Sequence, residues 1–209
     1  MQQPMFTERK FVSVDPSKCT GCGICEYACT LEKGETVNPL KSRIRTLRTM
    51  PIFNFALTCR FCEDAPCVKA CPENAIVQSE KTGILMIKEK KCKGCDWCIQ
   101  ACPHGGIVLH PDTGIVIACD FCNGEPKCIE ACPEEALDVV ASDEAAEKRF
   151  ADAMDKLPAE TERLTETVKK KDWKPMLADA EKRALKVTEK LEALNKKARE
   201  RKQQQESAN

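Results

Sequence analysis

Cysteine is the residue type through which this chain could do chemistry. Sixteen occur, all between Cys19 and Cys132, and they fall into four runs of four. The first is CTGCGICEYAC (Cys19, Cys22, Cys25, Cys29) and the second CRFCEDAPCVKACP (Cys59, Cys62, Cys67, Cys71). The third is CKGCDWCIQACP (Cys92, Cys95, Cys98, Cys102) and the fourth CDFCNGEPKCIEACP (Cys119, Cys122, Cys128, Cys132). Thiolates are nucleophiles and soft metal ligands, so these groups need an occupant. Disulfides would suit an exported protein, but MQQPMFTERK has neither an apolar signal core nor twin arginines. The expectation is a reducing, cytoplasmic setting, where clustered thiols hold metal or do redox chemistry.

The spacing narrows the metal. Runs one and three read C-x2-C-x2-C-x3-C, and runs two and four lengthen the middle gap to four and five residues. That is the ferredoxin spacing for cubane iron–sulfur clusters. Three thiolates on a tight loop reach three iron corners of one cube. The fourth, carried onto a short helix and commonly followed by Pro, ligates the neighbouring cube. Zinc is the rival, because four sites of four cysteines each would also use sixteen thiolates. Zinc knuckles, however, pair two separated C-x2-C elements, and leave the third and fourth cysteines of each run unexplained. The expected cofactors are four [4Fe-4S] clusters, with all sixteen cysteines as ligands.

Elements that would position these loops are legible between them. Residues 75–87 (AIVQSEKTGILMI) and 106–118 (GIVLHPDTGIVIA) each read as strand, turn, strand. Residues 11–14 (FVSV) and 43–47 (RIRTL) read as further strands. From Ser142 onward the chain changes to Glu, Lys, Ala and Leu without glycine or cysteine, which predicts helix interrupted only at Pro158 and Pro175. The organisation predicted is a cluster-binding domain over residues 1–141 and a helical extension over 142–209. Leu177, Ala180, Ala184, Val187, Leu191, Leu194 and Ala198 follow a three-four spacing that marks a coiled-coil seam. Phe150, Met154, Leu157, Leu164 and Val168 form a looser stripe. The extension would fold back on itself or on the body, or embrace a partner or second copy; the polar end at 199–209 reads as disordered.

In this order, with CEDAPCVKACPENAI second and CDFCNGEPKCIEACPEEAL fourth, the four runs resemble the polyferredoxin electron-transfer subunits of the formate hydrogenlyase and dimethyl sulfoxide reductase type. The resemblance covers about residues 9 to 140. It implies an α+β fold of two ferredoxin-like halves related by a pseudo-twofold axis. It also implies that run one pairs with run four, and run two with run three. One cluster would then sit on Cys19, Cys22, Cys25 and Cys132, and its neighbour on Cys119, Cys122, Cys128 and Cys29. The other pair would use Cys59, Cys62, Cys67 and Cys102, and Cys92, Cys95, Cys98 and Cys71. Cys29 departs from the pattern, being followed by Thr30 where the other three fourth cysteines precede Pro. The resemblance leans to the soluble branch that serves tungsten or molybdenum enzymes, such as aldehyde:ferredoxin oxidoreductase or class II benzoyl-coenzyme A reductase complexes. A catalytic subunit of that kind is the implied partner, with a ferredoxin or flavoprotein as a second.

Other classes are disfavoured. Lys+Arg and Asp+Glu both number 33, so charge gives no general case for nucleic acid, and no apolar run reaches membrane-spanning length. No catalytic triad, phosphate loop or nucleotide fingerprint is present, so the chain reads as a non-catalytic subunit. A freely diffusing polyferredoxin, or a zinc scaffold, is the alternative. Tyr27 and Trp97, inside the runs, are expected to shield clusters. Arg60, Lys93 and Lys127 either tune a neighbouring potential or are ordinary surface charges. His104 would be a spare ligand only if a cysteine were missing, and His110 carries no evident chemistry.

Overall fold

The computed structural model describes residues 8–34, 37–50 and 53–207. The sheets are small, four antiparallel pairs, so the cysteine loops between them are never far from an anchoring hairpin. Strand β1 (Phe11–Val14) pairs with β8 (Leu137–Val140), Phe11 opposite Val140, and this joins the two ends of the cysteine-rich body. FVSV is buried along its whole length, as a short apolar strand covered on both faces must be.

The hairpins β4 (Ile76–Gln78) with β5 (Leu85–Ile87), and β6 (Ile107–Leu109) with β7 (Val116–Ala118), lie where the alternation predicts. Their turns are built alike. Gly83 N–H donates to Ser79 C=O at 3.0 Å, and Gly114 N–H to His110 C=O at 2.9 Å. The strand predicted at 43–47 is observed as β2 (Arg45–Met50), while Ile44, 2% exposed, turns into the core instead. Its partner β3 (Phe53–Leu57) was not legible, because Pro51 and Asn54 interrupt the pattern expected of a strand.

The helices bearing fourth cysteines depend on the residue after each cysteine. Helices α2 (Pro66–Lys69), α3 (Trp97–Gln100) and α4 (Lys127–Ala131) stop just before Cys71, Cys102 and Cys132, each followed by Pro. Proline supplies no N–H and pushes its predecessor out of helical geometry. With Thr30 in that place, helix α1 (Ile24–Glu32) runs on past Cys29. Thr30 is fully buried, its hydroxyl donating to Tyr27 C=O at 2.9 Å.

Helix α5 (Asp143–Lys170) starts from an N-cap: Ala145 N–H donates to Ser142 Oγ at 3.3 Å, with Asp143 and Glu144 in the first turn. Pro158 removes one backbone bond, yet the helix continues through it. Phe150 docks α5 edge-on against Phe55, centroids 5.3 Å apart, and Ala146 and Ala153 are buried beside it. Helix α6 (Lys174–Ser207) folds back on the body. Val187, Leu191 and Leu194 cover Ile24, Ala28 and Ala131 of α1 and α4. The earlier part of the seam, with Leu177 at 61% exposure, is left open. Residues 199–207, expected to be disordered, continue α6: they hold no glycine or proline, and Arg, Lys, Glu and Gln are good helix formers. No helix of the described residues is long and apolar enough to cross a membrane.

Candidate metal centres

The sixteen cysteines gather in four quartets, each taking three from one run and one from another. Cys19, Cys22 and Cys25 share a cavity with Cys132. Cys59, Cys62 and Cys67 share another with Cys102. Cys29 lies within electrostatic reach of Cys119, Cys122 and Cys128. Cys71, Cys92 and Cys95 surround Cys98 in the same sense.

Each loop needs a left-handed residue before its second cysteine, the sharp turn that lets the thiols converge. Gly21 (φ 69°) and Gly94 (φ 64°) supply it in runs one and three. Runs two and four use Phe61 (φ 51°) and Phe121 (φ 58°), a conformation that costs an L-residue roughly 1–2 kcal/mol. The return is packing. The two rings meet edge to face at 6.4 Å, buried between the quartets of Cys59 and Cys119. Gly106 answers a different need: a Cβ there would lie 2.5 Å from Cys59 Cα, so only glycine lets the strand after Cys102 approach the second run.

The backbone also addresses the sulfurs. Ala75, Gly106 and Ala136 donate N–H groups to Cys71, Cys102 and Cys132 Sγ at 3.2, 3.3 and 3.3 Å, four residues on in each case. In the first run, with its longer helix, Arg43 N–H takes that role toward Cys29 at 3.4 Å. Such donors stabilise anionic sulfur.

Burial pushes the Cys25, Cys67 and Cys119 thiols up to about 12 and Cys98 to about 11; it raises Cys59 and Cys128 strongly as well. Thiols this desolvated ionise only against strong positive charge, as a metal centre provides. Among the described residues, no three His, Cys, Asp or Glu side chains converge tightly enough to hold a single ion. The donor set is all thiolate, and in each run a third and a fourth cysteine follow that a zinc knuckle would leave unused, so it fits a four-iron cube better than zinc.

Charged neighbours hold the loops in place. Asp120 accepts from Lys33 Nζ (2.7 Å), Arg43 Nη1 (2.5 Å) and Cys122 N–H (3.0 Å). Burial alone would raise its carboxyl, but those partners hold it below the usual range. Arg9, 8% exposed, donates twice to Arg60 C=O and pairs with Asp143 at 2.8 Å, tying α5 to the second run.

The smaller candidates divide. Tyr27, half-buried, donates to Asn195 Oδ1 and so clamps α6 to α1. Trp97, expected to be a shield, is 57% exposed, because it opens a four-residue helix at the surface. Arg60 faces Asp143 at 3.6 Å, and Lys127 pairs with Glu125 at 2.9 Å. Lys93 is exposed, while His104 lines the cavity of the Cys59 quartet. His110 Nδ1 accepts the Asp112 N–H at 3.3 Å in the β6–β7 turn.

Residues 50–142 match the family described as a 4Fe-4S dicluster domain, and residues 11–30 a 4Fe-4S binding domain. The polyferredoxin-like subunit of aliphatic sulfonate oxidoreductase from Pyrococcus furiosus is 42% identical over 133 residues, covering 64% of this chain and 77% of that one. The electron transport protein HydN of Escherichia coli is 33% identical over 174 residues, covering 69% of this chain and 98% of that one. A solved structure of the active-site complex BamBC of benzoyl coenzyme A reductase aligns over 77% of this chain and 97% of that one, at 22% identity and TM-score 0.37.

Proposed function

Because the chain belongs to the polyferredoxin-like family of 4Fe-4S electron-transfer proteins, we propose that it carries electrons in a line along four [4Fe-4S] clusters within an oxidoreductase complex. Each quartet would hold one cluster: Cys19, Cys22, Cys25 with Cys132; Cys119, Cys122, Cys128 with Cys29; Cys59, Cys62, Cys67 with Cys102; and Cys92, Cys95, Cys98 with Cys71. When bound, the clusters supply one-electron oxidation and reduction. The protein fixes their order, donates N–H groups to their sulfur ligands and excludes water from the middle of the line.

The observation that carries this reading is where the cysteines are exposed. Contacts link the quartet of Cys22 to that of Cys119 (Cys25 near Cys128), and that quartet to the one of Cys59 (Cys119 near Cys59). Helices α2 and α3, which bear Cys67 and Cys98, pack together and join the last two. Only Cys22 and Cys95 are exposed, and they belong to the two terminal quartets. A line closed in its middle and open at both ends has the form of a conductor between two partners. Two ferredoxin-like halves over residues 1–141, with residues 142–209 as a helical extension, describe the same chain: the repeated hairpin turns and the repeated N–H donors support the pseudo-symmetry.

The stable partner we assign is a tungsten- or molybdenum-containing catalytic subunit, docking at the Cys22 end. Lys186 pairs there with Glu134, a residue lining that quartet's cavity, and the preceding part of α6 presents Met176, Leu177 and Leu185 to solvent. A cytoplasmic location accords with so many thiols kept reduced.

The test is anaerobic purification with its partner, followed by metal analysis and electron paramagnetic resonance. About 16 irons per chain, and a co-purifying tungsten or molybdenum subunit, are expected. Cys132→Ala should remove or convert the cluster of Cys19, Cys22 and Cys25 and spare that of Cys119, Cys122 and Cys128. The reverse pattern would overturn the crossed grouping, and a colourless zinc protein the whole reading.

A further inference from the structure

The end of the line bearing Cys95 is built differently from the end bearing Cys22. Lys88, Lys90, Lys91 and Lys93 crowd into six residues that include the ligand candidate Cys92, against a single acid, Glu89. Lys90, Lys91 and Lys93 are exposed, and none of the four lysine side chains makes an ion pair among the described residues. Beside them stand exposed Cys95 and Trp97, the latter 57% exposed on the first turn of α3. A large aromatic left open within a few residues of a run of exposed, unpaired lysines is an unusual use of surface: the lysines repel one another and the indole gains nothing from water. At the Cys22 end, by contrast, Arg48 is spent on Gly21 C=O at 2.7 Å, and Lys186 on Glu134 at 3.5 Å.

We propose that the surface formed by Lys90, Lys91, Lys93 and Trp97 is the docking site for a small, acidic redox protein, one whose cofactor edge is ringed by carboxylates, which exchanges single electrons with the chain at its Cys95 end. The proposal rests on the cluster reading above and adds to it the site and the charge of the second partner. Charge complementarity selects the occupant. Exposed lysines steer a carboxylate-rich face by long-range attraction, and the indole supplies a flat apolar contact that tolerates brief, repeated encounters. Such a complex forms fast and dissociates fast, as a diffusing carrier requires.

The test uses the anaerobically purified full chain, its iron content and paramagnetic signals recorded before mixing. The probe is an acidic two-cluster ferredoxin, reduced beforehand for the kinetic arm so that it is the electron donor and the oxidised chain the acceptor. Stopped-flow mixing gives the second-order rate constant for electron exchange as a function of salt, and equilibrium binding of the oxidised probe, in which no electron moves, is measured in parallel. In the wild type the rate should fall steeply as salt rises from about 0.05 to 0.5 M. Lys90→Glu, Lys91→Glu and Lys93→Glu combined should lower the low-salt rate about tenfold or more, flatten the salt dependence and weaken binding equally. Trp97→Ala should lower the rate while leaving the salt dependence intact. Lys18→Glu, at the other end, should change neither.

A triple variant that binds and reacts like wild type would overturn the proposal, as would an equal loss from Lys18→Glu. So would a rate loss without a binding loss, which would mean that only the cluster potential had moved. A wild-type dimer abolished by the triple substitution would assign the patch to a second copy instead. A wild-type chain lacking iron would bring down the cluster reading and this one with it, and that result is visible before any probe is added.

Discussion

Phe61 offers a direct test of how the loops are made. Its ring is 1% exposed against Phe121, while its backbone is left-handed at φ 51°. Truncation to Ala removes the ring but keeps a Cβ in the strained region, so the cost is that of a large-to-small core change, about 3–5 kcal/mol. Truncation to Gly loses the same packing and also releases the strain of roughly 1–2 kcal/mol, partly offset by the greater unfolded-state freedom of glycine. Phe61→Gly should therefore be the more stable of the two by about 1 kcal/mol, reversing the order found at ordinary positions. At about 2–4 °C per kcal/mol for a chain of this size, Phe61→Ala should melt some 6–20 °C below wild type, and Phe61→Gly a few degrees above the alanine variant. Anaerobic melting of the iron-loaded proteins, followed by cluster absorbance at one fixed scan rate, reads both numbers. If the glycine variant melts below the alanine variant, the left-handed loop is not a source of strain. If both melt with wild type, the ring pair does not hold the two inner quartets together.

Gly106→Ala should force the strand after Cys102 away from Cys59, since its Cβ would meet backbone atoms at 2.5 and 2.7 Å. Iron should drop from about 16 to about 12 per chain, with loss confined to one paramagnetic signal. Gly34→Ala, with nothing within 4 Å of its Cβ but φ at 73°, should keep all the iron and cost only about 1 kcal/mol. A pH test uses Asp138, which accepts from Arg149 at 2.7 Å and so ties β8 to α5, its carboxyl held low chiefly by that bond. A depressed carboxyl contributes stability above its unfolded pKa, near 3.9, and loses it as pH falls through the folded value. Asp138→Asn should therefore lower the stability near neutral pH by about 0.2–1 kcal/mol for so exposed a pair, and the gap in melting temperature to wild type should close below about pH 4. A gap that persists in acid would show that the charge does not contribute.

What the sequence determined by itself is the chemistry. Sixteen cysteines in four regularly spaced runs name iron–sulfur as the cofactor class, because ligand type and loop spacing are local properties of a chain. The two inter-run hairpins were equally legible, since alternation and a Thr-Gly turn lie within a dozen residues. Sequence did not reveal strand β3, whose pattern Pro51 and Asn54 interrupt, nor the pairing of β1 with β8 or the seat of α6 on α1 and α4, which depend on contacts between distant segments. Nor did it mark Phe61 and Phe121 as stand-ins for Gly21 and Gly94: the aromatic type argues for core, and only the backbone angle reveals the second role. The exposure of Cys22 and Cys95, alone among the cysteines, likewise belongs to the tertiary structure. Spacing along the chain sets which thiols can share a loop, whereas which loops meet, and which sulfur is left facing water, is decided by how the segments pack.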